Sequence, residues 1–307
     1  MTPTNAELKV GFECNNNCRF CLNSHKKDLG SKSTNQIKQD VLEAKRLGCK
    51  LISFTGGEPS IREDFIELCA FAANNGLMLE IHTNGRVFSY DPLVRSLSVF
   101  GSFYFLVSVH GSNAKMHDSL TRAAGSFAQT LKGISNLKKS GHHVTTNTVI
   151  TKSNVKYLRK IVRMLKKYNV DIIELTWPEP MGAAKENFSE IVPDLAPSVK
   201  YICDTLDQNI PLTDAKDRYL PPIIKYHNLP WCVMPEKYHK FASSPSEIAD
   251  FESSSITKNA RSKYDAEKKI LIFQCKQCVY KKKFGCNGVF RVYLDFFSFP
   301  FRSKIRK

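Results

Sequence analysis

The sequence predicts an α/β fold: a partial (β/α)6 barrel of parallel strands, followed by a small, irregular, cysteine-rich C-terminal domain. Three observations predict it. Short β-branched or aromatic runs alternate with helical patterns through the first two-thirds of the 307-residue chain. Unusual short segments stand at the ends of successive strand runs. The alternation stops near residue 190, and a second group of cysteines lies beyond it. Strand–helix–strand units repeated in this way imply a parallel sheet with right-handed crossovers, and six units are too few to close an eight-stranded barrel.

The strand runs are 8–13 (LKVGFE), 50–55 (KLISFT), 77–82 (LMLEIH), 103–109 (FYFLVSV), 143–150 (HVTTNTVI) and 171–175 (DIIEL). Several are apolar nearly throughout, which is the expectation for strands covered on both faces. Helical spacing follows the second strand's predecessor at 34–48, where Ile37, Val41, Leu42 and Leu47 share a face and Gly48 ends the pattern. Similar patterns occupy 62–76, 125–141 and 153–169, with Ser126 and Ser153 as expected N-caps. A further helix is expected at 197–209. The proline-rich stretch 211–235 reads as irregular, and the Ser-rich stretch 243–255 as a mobile loop. The expected division is therefore 1–190 for the barrel, 191–230 for a connecting helix and irregular segment, and 231–307 for the cysteine-rich domain with a basic tail.

Composition narrows the function classes. The N-terminus lacks the charged-then-apolar pattern of a secretory signal, and no apolar run has the length of a membrane span; a cytoplasmic location is expected. In a reducing compartment, ten cysteines point to metal or redox chemistry before disulfides. Seven of them fall in two groups, Cys14/Cys18/Cys21 and Cys232/Cys275/Cys278/Cys286, whereas Cys49, Cys69 and Cys203 read as packing residues. The net charge of +16, from 45 basic and 29 acidic residues, favours an acidic partner such as RNA, a nucleotide or an acidic peptide.

The motifs share one edge. Cys14 follows the first strand run, Gly56-Gly57-Glu58-Pro59 the second, His82-Thr83-Asn84-Gly85 the third, and Ser108-Val109-His110-Gly111 closes the fourth. Working residues of parallel βα folds gather at these C-terminal strand ends. The paired glycines allow a ligand to approach the backbone, Glu58 can accept hydrogen bonds from an ammonium group, and Pro59 restricts the adjoining chain. His110 and His117 read as local hydrogen-bonding residues that fix the loop after strand four. Three clustered thiols admit a zinc site or a cubane iron–sulfur cluster with one iron left free of protein ligands.

C-x3-C-x2-C with Phe20 before the last cysteine, followed by GGEP, resembles the radical S-adenosylmethionine (radical SAM) superfamily over residues 8 to about 180. The resemblance implies that Cys14, Cys18 and Cys21 ligate three irons of a [4Fe-4S] cluster and that S-adenosylmethionine chelates the fourth. It implies contacts to the cofactor from Gly56, Gly57, Glu58 and Pro59, from Thr83 and Ser108, and more loosely from Asn147. Related chains often carry an acid where this one has His110, which puts the ribose contact there in question. The C-x2-C-x7-C run at 275–286 with Cys232 upstream resembles SPASM and twitch extensions, implying one auxiliary [4Fe-4S] cluster; by spacing alone it also fits a four-thiolate zinc knuckle beside the basic run Lys281–Lys283.

The implied activity is reductive cleavage of S-adenosylmethionine and hydrogen abstraction from a substrate, with net oxidation or crosslinking expected over methyl transfer. A reducing partner such as flavodoxin or ferredoxin is implied. The expected substrate is a peptide or protein side chain; the alternatives are RNA or a nucleotide-like metabolite, or a zinc protein that binds nucleic acid without catalysis.

Overall fold

In the computed structural model, which describes residues 5–211, 220–243, 248–251, 269–270, 275 and 289–290, each of the six expected strands is present. They are β1 (Asn5–Gly11), β2 (Leu51–Gly56), β3 (Met78–Thr83), β4 (Tyr104–Ser108), β5 (His143–Val149) and β6 (Ile172–Thr176). Two more join them: β7 (Ile223–His227) and β8 (Ile248–Phe251). The sheet order is β7-β6-β5-β4-β3-β2-β1-β8, every pair parallel, with β7 and β8 as its two edges. The partial barrel is thus as expected, wider by one strand at either side. It takes one strand from each of the segments 191–230 and 231–307.

Those two strands correct the sequence reading. Ile223 and Ile224 follow the pair Pro221-Pro222 in a stretch that reads as irregular for its prolines, yet they pair with Ile172 and Ile173 of β6. β8 falls inside the stretch read as a mobile loop, where a four-residue run pairs with the start of β1; residues 244–247 and 252–255 lie outside the described set. Among the described residues, Lys269–Ile270 and Val289–Phe290 form a separate antiparallel pair.

The strands are not covered alike on both faces. Residues alternate, so one face packs beneath helices with Leu8, Phe54, Ile81, Phe105, Val144 and Ile173 fully buried. The concave face is half-buried and polar, carrying Glu7, Lys9, Glu80, His82, Asn147 and Glu174. A face that is neither apolar nor fully covered fits a chamber, and the cavity described below opens at its C-terminal end.

The covering helices are α1 (Thr34–Arg46), α2 (Phe65–Asn74), α3 (Asp91–Ser98), α4 (Ala114–Thr121), α5 (Ser126–Lys139), α6 (Leu158–Lys166), two single turns α7 (Ala183–Glu186) and α8 (Phe188–Ile191), and α9 (Leu195–Leu206). Ser33 begins α1 with a capping box closed by Gln36. The expected caps Ser126 and Ser153 are not used as such. The Asp118 carboxylate accepts from the Gly125 N–H, the Ser126 hydroxyl and the Phe127 N–H, each at 2.8 Å, and so caps α5 from within α4. The turn before α6 is closed by Asn154, whose side chain accepts from the Thr151 N–H at 2.7 Å. Cys49, Cys69 and Cys203 are buried in the helix–sheet core as expected. Among the described residues, no helix is long and apolar enough to cross a membrane.

Candidate active site

A cavity of about 250 Å³ opens at the C-terminal ends of β1 to β5. Cys14, Cys18 and Cys21 line it, with Gly56, Gly57 and Glu58 on one side. Thr83, Ser108 and Asn147 line it too, from the ends of three successive strands. The structure therefore brings together every expected residue of the barrel site except Pro59, which is buried and opens a short 3-10 turn, Pro59–Ile61. His82, Asn84 and His110 also face this space.

The cysteine loop is pinned by backbone contacts from three directions. The Asn17 and Arg19 N–H groups donate to Thr121 and Leu120 carbonyls at the end of α4, both at 2.9 Å. The Cys21 carbonyl accepts from the Ala183 N–H at 3.0 Å, and Asn23 donates to the Gly56 carbonyl at 2.7 Å. Gly182 sits at φ +48, and a Cβ there would lie 2.5 Å from the Cys21 carbonyl oxygen; the chain after β6 approaches the loop this closely only through a glycine. Burial pushes all three thiols above their ordinary value, Cys18 to about 12, with Lys27 acting the other way on Cys18 and Cys21. Three desolvated thiols of this kind are poor isolated anions, and a bound cation reverses that preference.

Glu58 is buried and its carboxylate takes four hydrogen bonds. Oε1 accepts from the Ser60 N–H (3.2 Å), the Ser60 hydroxyl (2.5 Å) and the Thr83 hydroxyl (2.7 Å), and Oε2 from the Asn84 N–H (2.6 Å). This carboxylate orders the loops after β2 and β3, and it also lines the cavity, where Oε2 takes a single donor among the described residues. Gly57 lines the cavity, and it has a second reason to be glycine. A Cβ on it would lie 2.0 Å from the Glu13 carbonyl oxygen, so the glycine serves the close approach of two loops. Thr83 is likewise engaged on both sides, donating to Glu58 and accepting from the Gly85 N–H at 2.9 Å.

Asn147 accepts from the Thr176 hydroxyl at 2.7 Å. His110 Nδ1 accepts from the Val149 N–H at 3.3 Å, and His117 Nδ1 accepts from the His110 N–H at 3.2 Å. Both rings are buried, which holds His110 well below its ordinary value and His117 down at about 4. They are neutral hydrogen-bonding residues that fix the loop after β4, as the sequence reading had it. With Nδ1 accepting, the neutral His110 ring carries its proton on Nε2.

Sequence reasoning missed the residues that join these loops. Asn84 links the loops after β1, β2 and β3; Arg86 donates to the Asn15 carbonyl and to Asn16 Oδ1; Asn187 donates to the Arg19 carbonyl at 3.2 Å. The signal for Asn84 lay in its place beside Thr83 at a strand end. The others reach across 70 to 168 positions and leave no local pattern. In the second cysteine group, Cys232 packs against the core and Cys275 is half-buried, while Cys278 and Cys286 lie outside the described residues.

The family model described as the Radical SAM superfamily matches residues 8–165. The chain belongs to the radical SAM superfamily. Among curated relatives of this radical SAM chain, the AdoMet-dependent heme synthase of Methanosarcina barkeri (strain Fusaro / DSM 804) is 28% identical over 190 residues, 60% of this chain and 54% of that one. The mycofactocin maturase MftC of Mycobacterium ulcerans (strain Agy99) is 29% identical over 193 residues, 62% and 52% of the two chains. The chain thus spans about half the length of these curated relatives. Streptococcus suis SuiB, solved bound to precursor peptide SuiA, shares the fold with a TM-score of 0.56 at 20% identity, over 67% of this chain and 46% of that one.

Radical SAM membership implies a [4Fe-4S] cluster and S-adenosylmethionine, and the residues present fit them. Three thiols from one short loop line a single cavity beside polar strand ends. Among the described residues no three His, Cys, Asp or Glu side chains close on one ion position; thiolates that each bind a separate iron of a cubane have no need to.

Proposed function

We propose that this radical SAM enzyme is an oxidoreductase or maturase acting on a peptide or protein side chain in the cytoplasm. The observation that carries the reading is the convergence of the three thiols, the Gly56–Glu58 loop and the polar ends of β3 to β5 on one cavity above a polar concave sheet. Cys14, Cys18 and Cys21 would ligate three irons. The Gly56–Gly57 backbone would receive the amino group of S-adenosylmethionine, held in shape by Glu58 and, through it, Thr83. Ser108 and Asn147 would meet the polar body of the cofactor, and Cys232, Cys275, Cys278 and Cys286 would hold an auxiliary [4Fe-4S] cluster. Together these groups would supply a carbon-centred hydrogen abstractor and an electron acceptor, while the chain itself would bind, orient and shelter. A peptide client is favoured by the maturase and peptide-cyclase relatives.

The test is iron content after anaerobic reconstitution, in the native chain and in a Cys14/Cys18/Cys21→Ala variant, followed by 5′-deoxyadenosine release under a chemical reductant. About eight irons falling to about four, with nucleoside release lost in the variant, is expected for two cubanes. Zinc with little iron in both proteins refutes the enzyme reading. About four irons natively and almost none in the variant removes the auxiliary cluster and keeps the rest. Product formation from RNA and none from peptides would transfer the chemistry to the nucleic-acid alternative.

A further inference from the structure

The amide of Asn84 is fixed by its own acceptor. Its Oδ1 takes the Arg86 N–H at 3.0 Å, so the NH2 end must face the other way. One direction leads to Asn15 Oδ1 at 2.6 Å and the other to the Cys14 sulfur at 3.9 Å. The backbone of Asn84 is anchored as firmly: its N–H donates to Glu58 and its carbonyl accepts from the Thr130 hydroxyl at 2.8 Å. The residue is 8% exposed. Among the described residues, Asn84 is the side chain hydrogen-bonded to a sulfur of the cysteine loop, and Cys14 takes a second donor from the Asn16 N–H at 3.4 Å.

An N–H aimed at a cluster thiolate stabilises the more electron-rich state of the metal group, because the sulfur carries more charge when the cluster is reduced. We infer that Asn84 is a positioning residue that raises the reduction potential of the iron–sulfur group held at Cys14, while its main-chain N–H holds Glu58. One residue thereby links the electronic tuning of the metal group to the shape of the cofactor loop. This rests on the cluster assignment proposed above for Cys14, Cys18 and Cys21.

The experiment uses the full chain, reconstituted anaerobically without S-adenosylmethionine and poised over a range of potentials. The electron paramagnetic resonance signal followed is the one absent from the Cys14/Cys18/Cys21→Ala variant. Asn84→Ala removes the amide, and Asn84→Asp keeps its shape and the acceptor for Arg86 while replacing the donor with an anion. With iron content equal to that of the native chain, both are expected to shift the midpoint to more negative potential, Asp further than Ala. Equal iron with an unshifted midpoint in Asn84→Ala overturns the inference. A folded Asn84→Ala protein that takes up no iron also overturns it, in favour of a purely structural tether. A native chain that takes up no iron refutes the cluster assignment itself, a failure distinct from either.

Discussion

Glu58 concentrates the demands placed on a single side chain at this site. Its two oxygens each accept a main-chain N–H, Ser60 on Oε1 and Asn84 on Oε2, and these donors cannot rotate away as hydroxyls can. Glu58→Gln keeps the shape but replaces one oxygen with a donor, so whichever way the amide turns it confronts one buried N–H. The expected cost is about 1–3 kcal/mol, read as a lower midpoint in denaturant unfolding of the iron-free protein; unchanged stability would show that the loop relaxes around the amide. The same residue marks a limit of sequence reading. That Glu58 belongs to the site was legible from its position after β2. That Ser60, Thr83 and Asn84 hold it was not, since two of these partners stand 25 and 26 positions away.

The helices and strands differ in how plainly their residues announce them. β1 to β6 were legible because their β-branched and aromatic runs are separated by helical spacing. β7 was hidden by flanking prolines and β8 by its brevity within a serine-rich stretch, and both depend on pairing with a strand already formed. α5 was legible in length but not in its start, because its cap comes from another helix. Asp118 satisfies the orphan N–H groups at the head of α5. Asp118→Ala is therefore expected to cost about 1–2 kcal/mol, and Asp118→Asn about half as much or less, measured by thermal unfolding. Because α4 also takes the cysteine-loop N–H groups on Thr121 and Leu120, the alanine variant should additionally lose iron faster to a chelator. Equal iron release would separate the cap from the loop.

Across the molecule, buried imidazoles among the described residues contribute to the loss of stability in acid. Burial holds His117 and His142 down at about 4, and His110 lower than its ordinary value. A group whose folded value lies below the unfolded value of about 6.5 favours folding above that pH and loses this contribution as pH falls through the folded value. Stability should therefore decline from pH 6.5 toward 4, by on the order of 2 kcal/mol for each of His117 and His142. His142 offers a test away from the cavity: it accepts the Phe103 N–H at 3.2 Å and meets Ser98 at 3.1 Å. His142→Gln should be the less stable protein at pH 7.5 and close the gap by pH 4.5 in thermal melts. Parallel pH profiles for the two would remove His142 from the account. His82 acts with opposite sign. Desolvation lowers it, but Glu80 at 2.7 Å and Glu7 more than offset that and leave it raised, so its contribution is present at low pH and lost as pH rises through its folded value.

The pairing of β8 with β1 places Asn5 beside Ile248, 243 positions further along the chain. On a ribosome adding about 5–20 residues per second, that partner emerges about 12–50 s after the first strand has left the exit tunnel. Throughout that interval the outer edge of β1 from Asn5 to Leu8 offers unpaired N–H and C=O groups to any other nascent chain. Yield in cells should thus depend on translation speed and on holdase supply more than the final stability would suggest, and the strand that ends the wait is one of the shortest in the sheet.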